Sequence, residues 1–217
     1  MGSDATAKAS PWRVGHGINL HKLLVGPVTA ALMWKYSCFT PAAWTYLALH
    51  GTYGVLWVAK DVTFPDASFQ EPCCFAKVLA LCISICAIYC PMAWTLVYHA
   101  KSVPEWYPSV AIAVFSTGMF LMIGSDCQKY FTLKLAPGKL ITSGFFKHIR
   151  HPNYLGELLI YSSFSMLTFT PWGFTGVLFF VLTGLLPRTM KKERSMSRYP
   201  EFADYKASTY RVVPLLF

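Results

Sequence analysis

Arg150-His151-Pro152-Asn153-Tyr154-Leu155-Gly156-Glu157 is the stretch on which the reading of this chain turns, because a basic, polar segment gives way there to a long apolar run. Pro152 fixes φ and carries no N–H, so it suits the first position of a helix. The unpaired N–H groups and positive dipole end of that helix then face Arg150 and His151, a junction shaped for an anion. Helical spacing of four from Asn153 puts Glu157 and Tyr161 on the same face, so a polar stripe continues about two turns into the apolar run. An ionisable residue at that depth is costly and points to function. The plain alternative is an interfacial anchor, with Glu157 snorkelling or paired with Arg150.

Outward from this junction the chain reads as a membrane protein. Of 217 residues, 54% are hydrophobic and only 13% charged, and the mean hydropathy is +0.41, too apolar for an ordinary soluble domain. Candidate spans fall at 23–40, 42–59, 75–98, 107–124, 154–170 and 173–186, several of them near the ~20 residues that cross a bilayer. Lys35 interrupts the first, and the last is short. The expectation is an all-α, polytopic helical bundle of about six spans. It forms a single integral membrane domain, 1–217, with a polar tail (1–22), a four-span half (23–124) and a half carrying the anion motif (125–217).

Charge asymmetry sets the expected topology. Lys and Arg collect in the N-terminus, the 60–74 loop, the 125–153 segment and the C-terminal tail, which places both termini on one, positive-inside face. The same asymmetry accounts for the net charge of +9 without nucleic acid, and these basic residues either face anionic lipid headgroups or bind phosphate. The organelle stays open between the endomembrane system and the mitochondrial inner membrane. No cleavable signal peptide is expected, since the first 20 residues hold no apolar core segment. Met1-Gly2-Ser3-Asp4-Ala5-Thr6 matches the N-myristoylation pattern, a short match. Cys82, Cys86 and Cys90 recur every fourth residue along one face of the third span, a packing stripe with no zinc spacing, so neither metal site nor disulfide is expected.

Tyr46, His50 and Tyr53 share one face of the second span, and either donate hydrogen bonds to a ligand oxygen or bond to neighbouring helices. Pro91 and Gly118 predict kinks or close helix approaches. A turn at Pro137-Gly138 folds the Lys129 end back toward Arg150 and gathers cations at one rim. A short helix from Pro200 carries Phe202, Tyr205 and Lys206, and either caps the pocket or rests on headgroups.

Taken in order, Asp126-Cys127-Gln128-Lys129, Ile141-Thr142-Ser143-Gly144-Phe145-Phe146, the Arg150–Glu157 motif, the 199–205 segment and Val213-Pro214 resemble the steroid 5-alpha-reductase C-terminal family of membrane proteins (the DUF1295 type). That family shares a superfamily with sterol C14 reductases and isoprenylcysteine carboxyl methyltransferases. The resemblance implies a cofactor site formed by Lys129, Arg150, His151, Asn153, Tyr154 and Glu157, joined from the tail by Glu193, Tyr199 and Tyr205. It implies NADPH-dependent reduction of a carbon–carbon double bond in a lipid or steroid-like enone, with S-adenosylmethionine-dependent methyl transfer as the alternative. Tyr53 or His50 would polarise the substrate carbonyl, and Glu157 is counted with the catalytic groups as well. A third reading is a non-catalytic subunit of a larger membrane complex.

Overall fold

The computed structural model describes residues 10–214, and the Gly2 acylation pattern lies outside them. Helix accounts for 75% of the structure and no strand forms among the described residues, so the protein is an all-α membrane protein. The long elements are α1 (Val14–Lys35), α2 (Pro41–Thr63), α3 (Phe75–His99), α4 (Tyr107–Leu135) and α5 (Pro152–Leu167). A final run comprises α6 (Thr175–Phe180), a π-helical turn (Val181–Leu185) and α7 (Leu186–Met196), followed by the short α8 (Phe202–Ala207). Among the described residues α3, α4 and the run Pro171–Met196 are long and apolar enough to cross a membrane.

Helix starts follow local chemistry. At α2, Pro41 takes the first position and the Thr40 hydroxyl accepts from the Ala43 N–H at 3.2 Å. At α5, Pro152 likewise opens the helix, and the Tyr154 and Leu155 N–H groups bond to the His151 carbonyl at 3.1 and 3.2 Å.

Two helices extend beyond the spans expected from hydropathy. The first helix begins at Val14, not near residue 23, because its polar first half is satisfied by protein and not by lipid. Asn19 donates to Asp61 at 2.7 Å, His21 Nδ1 lies 3.3 Å from Cys86 Sγ, and Lys22 Nζ sits 4.3 Å from the centre of the Tyr53 ring. The fourth helix does not end near residue 124; it continues through Ser125-Asp126-Cys127-Gln128-Lys129 to Leu135, carrying the helix past its apolar portion. The Pro137-Gly138 turn follows as expected, with Gly138 at φ +79°.

The chain forms two compact units, residues up to Ser109 with Phe164–Gly176, and Val110–Ser163 with the remainder from Val177. In the first, α1 packs on both α2 and α3 around a buried aromatic core. The His50 ring stacks on Phe164 at 4.1 Å and 17°. In the second, Gly118 of α4 and Gly156 of α5 bring two backbones into contact, so that a side chain on either would collide with the other's carbonyl. That is the close approach Gly118 predicts.

Candidate cofactor-binding site

All of the candidate site described here belongs to the second unit. Its floor is organised by Gln128, near the end of α4, whose side-chain amide donates to the Ser143 carbonyl at 2.8 Å and accepts from the Phe145 N–H at 2.9 Å. Gly144 adopts φ +60° directly against that amide, where any Cβ would collide with it. A glycine is therefore required, and the loop is aimed so that Phe146 turns inward.

From Phe146 to His151 the chain is stitched to its own C-terminal tail. Tyr210 N–H bonds to the His148 carbonyl at 3.0 Å, while the Arg150 and His151 N–H groups bond to the Tyr210 and Arg211 carbonyls at 2.8 and 3.1 Å. The Tyr205 hydroxyl donates to the Phe146 carbonyl at 2.6 Å. Burial pushes that phenol up to about 12, so it remains a donor at neutral pH.

Between these parts lies a cavity of about 190 Å³. Lys129 and Leu133 enter it from α4, Lys139 to Ile141 from the loop, and Asn153 and Tyr154 from the first turn of α5. Lys192, Ser195 and Met196 of α7 and the following Arg198-Tyr199 complete the wall. Its lining holds the cations Lys129, Lys139, Arg150, Lys192 and Arg198 and no carboxylate. Such a wall favours anions, and the ring of Tyr199, with the Arg198 guanidinium 5.0 Å over it, offers a flat surface beside them.

Six of the residues expected from the sequence, Lys129, Arg150, His151, Asn153, Tyr154 and Tyr199, line this one cavity. His151 is 5% exposed, and its Nε2 has no hydrogen-bond partner among the described residues. Burial holds its imidazole down to about 4, against the pull of Glu193, so the 3.5 Å approach to that carboxylate is not an ion pair at pH 7.

The other expected residues stand behind the wall. Glu193 accepts from Arg150 Nε at 2.7 Å, and Tyr205 braces Phe146. Glu157 is buried one turn along α5 and pairs with Arg188 at 3.1 Å, not with Arg150 as the interfacial reading expects. The Arg188 guanidinium also covers the Tyr154 ring at 5.2 Å and donates to the Gly184 carbonyl in the π-helical turn. Tyr53 and His50 lie in the first unit, both fully buried. His50 Nδ1 meets the Tyr46 hydroxyl at 3.0 Å within α2, in place of a bond to a neighbouring helix, and its Nε2 has no hydrogen-bond partner among the described residues.

Lys139, Lys192, Arg198 and Arg188 were not singled out by the sequence as site residues. The signals were faint: Lys139 follows the Pro137-Gly138 turn, Arg198 precedes an expected tyrosine, and Arg188 is the first cation after the last apolar run.

A family model described as a protein of unknown function (DUF1295) matches residues 69–209, a range that contains every cavity residue. Among curated proteins the chain is similar to steroid 5-alpha-reductase DET2 of Solanum lycopersicum, 27% identical over 148 residues, which is 64% of this chain and 55% of that one. It is also similar to 3-oxo-5-alpha-steroid 4-dehydrogenase 2 of Mus musculus, 30% identical over 151 residues (66% and 56%). The protein of the same description from Rattus norvegicus is 29% identical over 202 residues (86% and 74%). The chain thus spans about half the length of the first two of these relatives.

Proposed function

This chain belongs to the DUF1295 family of steroid 5-alpha-reductase-like membrane proteins, and from that premise we propose that it binds NADPH at the cationic cavity and reduces a carbon–carbon double bond conjugated to a carbonyl in a lipid or steroid-like substrate. The observation that carries the proposal is a cavity lined by Lys129, Lys139, Lys192 and Arg198, with no carboxylate among its lining residues, at the start of α5. At about 190 Å³ the cavity is smaller than the ~300–1,000 Å³ pockets that enclose a whole drug-sized ligand, so it would hold one end of the dinucleotide. When bound, the cofactor supplies a hydride.

In this reading the chain's own groups do the remaining work. Lys129, Lys139, Lys192 and Arg198 neutralise phosphate oxygens. Tyr199 offers a face to a base. Glu157, held by Arg188, is placed behind Tyr154 as a fixed carboxylate. The hydride goes to one carbon of the double bond and a proton to the other. The names of the relatives, steroid reductases, support this direction of chemistry. S-adenosylmethionine fits the wall less well, since it brings a sulfonium and an ammonium against one carboxylate and would meet like charge.

Thermal unfolding of the detergent-solubilised protein, titrated with NADPH, NADH and S-adenosylmethionine, tests the reading. NADPH at ~100 times its dissociation constant should add about 2.7 kcal/mol to the folded state. A selective NADPH shift, followed by enone-dependent loss of the nicotinamide absorbance, is the expected result. A response to S-adenosylmethionine alone, or silence from a demonstrably folded protein, overturns it.

A further inference from the structure

Arg150 lines the cavity, yet its side chain is only 5% exposed and most of its fork is turned away from any ligand. Nε donates to Glu193 at 2.7 Å. Nη1 donates to the Lys206 carbonyl at 3.1 Å and to the Thr209 carbonyl and hydroxyl at 2.5 and 3.0 Å. All three N–H groups on these two nitrogens are thereby committed, leaving at most Nη2 for a ligand. The partners come from two places distant in sequence: Glu193 is on α7, while Lys206 and Thr209 are in the tail. Arg150 also binds the tail through its own backbone N–H, to Tyr210.

We infer that Arg150 is a positioning residue: it locks α7 and the 205–211 tail to the loop before α5, and so fixes the cavity wall that Arg198 and Tyr199 carry between them. This goes beyond the NADPH reading, on which it rests only for the identity of the ligand. The geometry is one that a planar fork provides and a point charge does not. Lysine keeps the positive charge but cannot satisfy Glu193 and the two tail carbonyls from one place. The lock also couples the site to the tail, since a ligand that needs the Arg198-Tyr199 wall must favour the docked tail, and the docked tail must favour the ligand to the same degree.

Hydrogen exchange of the full chain in detergent, for wild type, Arg150→Lys and Thr209→Val, with and without NADPH, separates the two roles. Without ligand, Arg150→Lys should speed amide exchange across 205–211 by about tenfold or more while α1–α3 keep their protection, and Thr209→Val should do so less. NADPH should slow exchange of the same segment in wild type and bind Arg150→Lys about tenfold more weakly. If Arg150 is instead a direct anion contact, the lysine variant keeps its tail protection, and that result overturns the inference. Should Arg150→Lys fail to fold, unchanged tail exchange in Thr209→Val overturns it equally. Faster tail exchange in Arg150→Lys beside a wild type indifferent to NADPH supports the lock and removes the cofactor reading.

Discussion

The first unit buries His21, Lys22, His50 and three tyrosines among aromatic rings, whereas the second buries Glu157 and Glu193 opposite arginines. Rings ask little of direction: Lys22 Nζ lies 4.3–5.1 Å from the centres of Tyr53, Trp57 and Tyr89 at once, and small displacements would cost it little. Carboxylate–arginine pairs ask for distance and angle together, and leave a buried charge when either partner is lost. Buried polarity is thus set largely among rings in one unit and largely in ion pairs in the other, where the cationic cavity lies.

The contrast can be broken most sharply from the aromatic side. Phe164→Ala removes the ring on which His50 stacks at 4.1 Å and should destabilise the protein by about 3–5 kcal/mol in chemical unfolding. A loss under about 1 kcal/mol would mean that the rings are not what holds the first unit.

On the ion-paired side, Arg188→Met leaves Glu157 buried without its partner. Because the Arg188 side chain is 39% exposed, the cost should fall toward the lower end for buried pairs, about 3 kcal/mol. The double variant Arg188→Met/Glu157→Met should regain most of it. Equal losses in the single and double variants would show that the two side chains are not energetically coupled.

A smaller effect comes from acid. His151 is held down to about 4 by burial, below its ordinary value of 6.5. Between these values the unfolded chain takes up a proton that the folded chain refuses, so stability falls as the pH drops from 6.5 toward 4 and is unaffected above. The loss attributable to His151 should be about 2 kcal/mol. It should be absent from His151→Gln, compared with wild type by unfolding at pH 7 and pH 4.5; parallel curves would mean that the imidazole is not desolvated.

The same contrast decides what the sequence makes legible. The shared face of Tyr46, His50 and Tyr53 follows from helical spacing, and these side chains are indeed buried together. The Pro152 start of α5 and the Pro137-Gly138 turn follow from local backbone chemistry. Hydropathy does not reveal the first turns of α1 because it scores residues against lipid, whereas Asn19, His21 and Lys22 face other helices. Nor does it show how far α4 continues, because a helix need not end where its apolar surface does. In the cavity, the residues clustered in one motif are readable, while the partner of Arg150 stands 43 positions away. No local rule connects Arg150 to Glu193, or Glu157 to Arg188. The tail lock and the deeper ion pair emerge only once the chain has folded back on itself.

The backbone contact between Gly118 and Gly156 has a bearing on the cavity. Lys129 and Leu133 stand on the first of these helices, and Asn153 and Tyr154 on the second. With no side chain between the two backbones the helices meet closely there, and the separation of the parts they carry starts from that contact. Adding a methyl group at either glycine would disturb that contact without altering any residue that lines the cavity. The approach of the two helices that carry these lining residues is therefore held at a point outside the cavity, by two residues that have no side chain to offer.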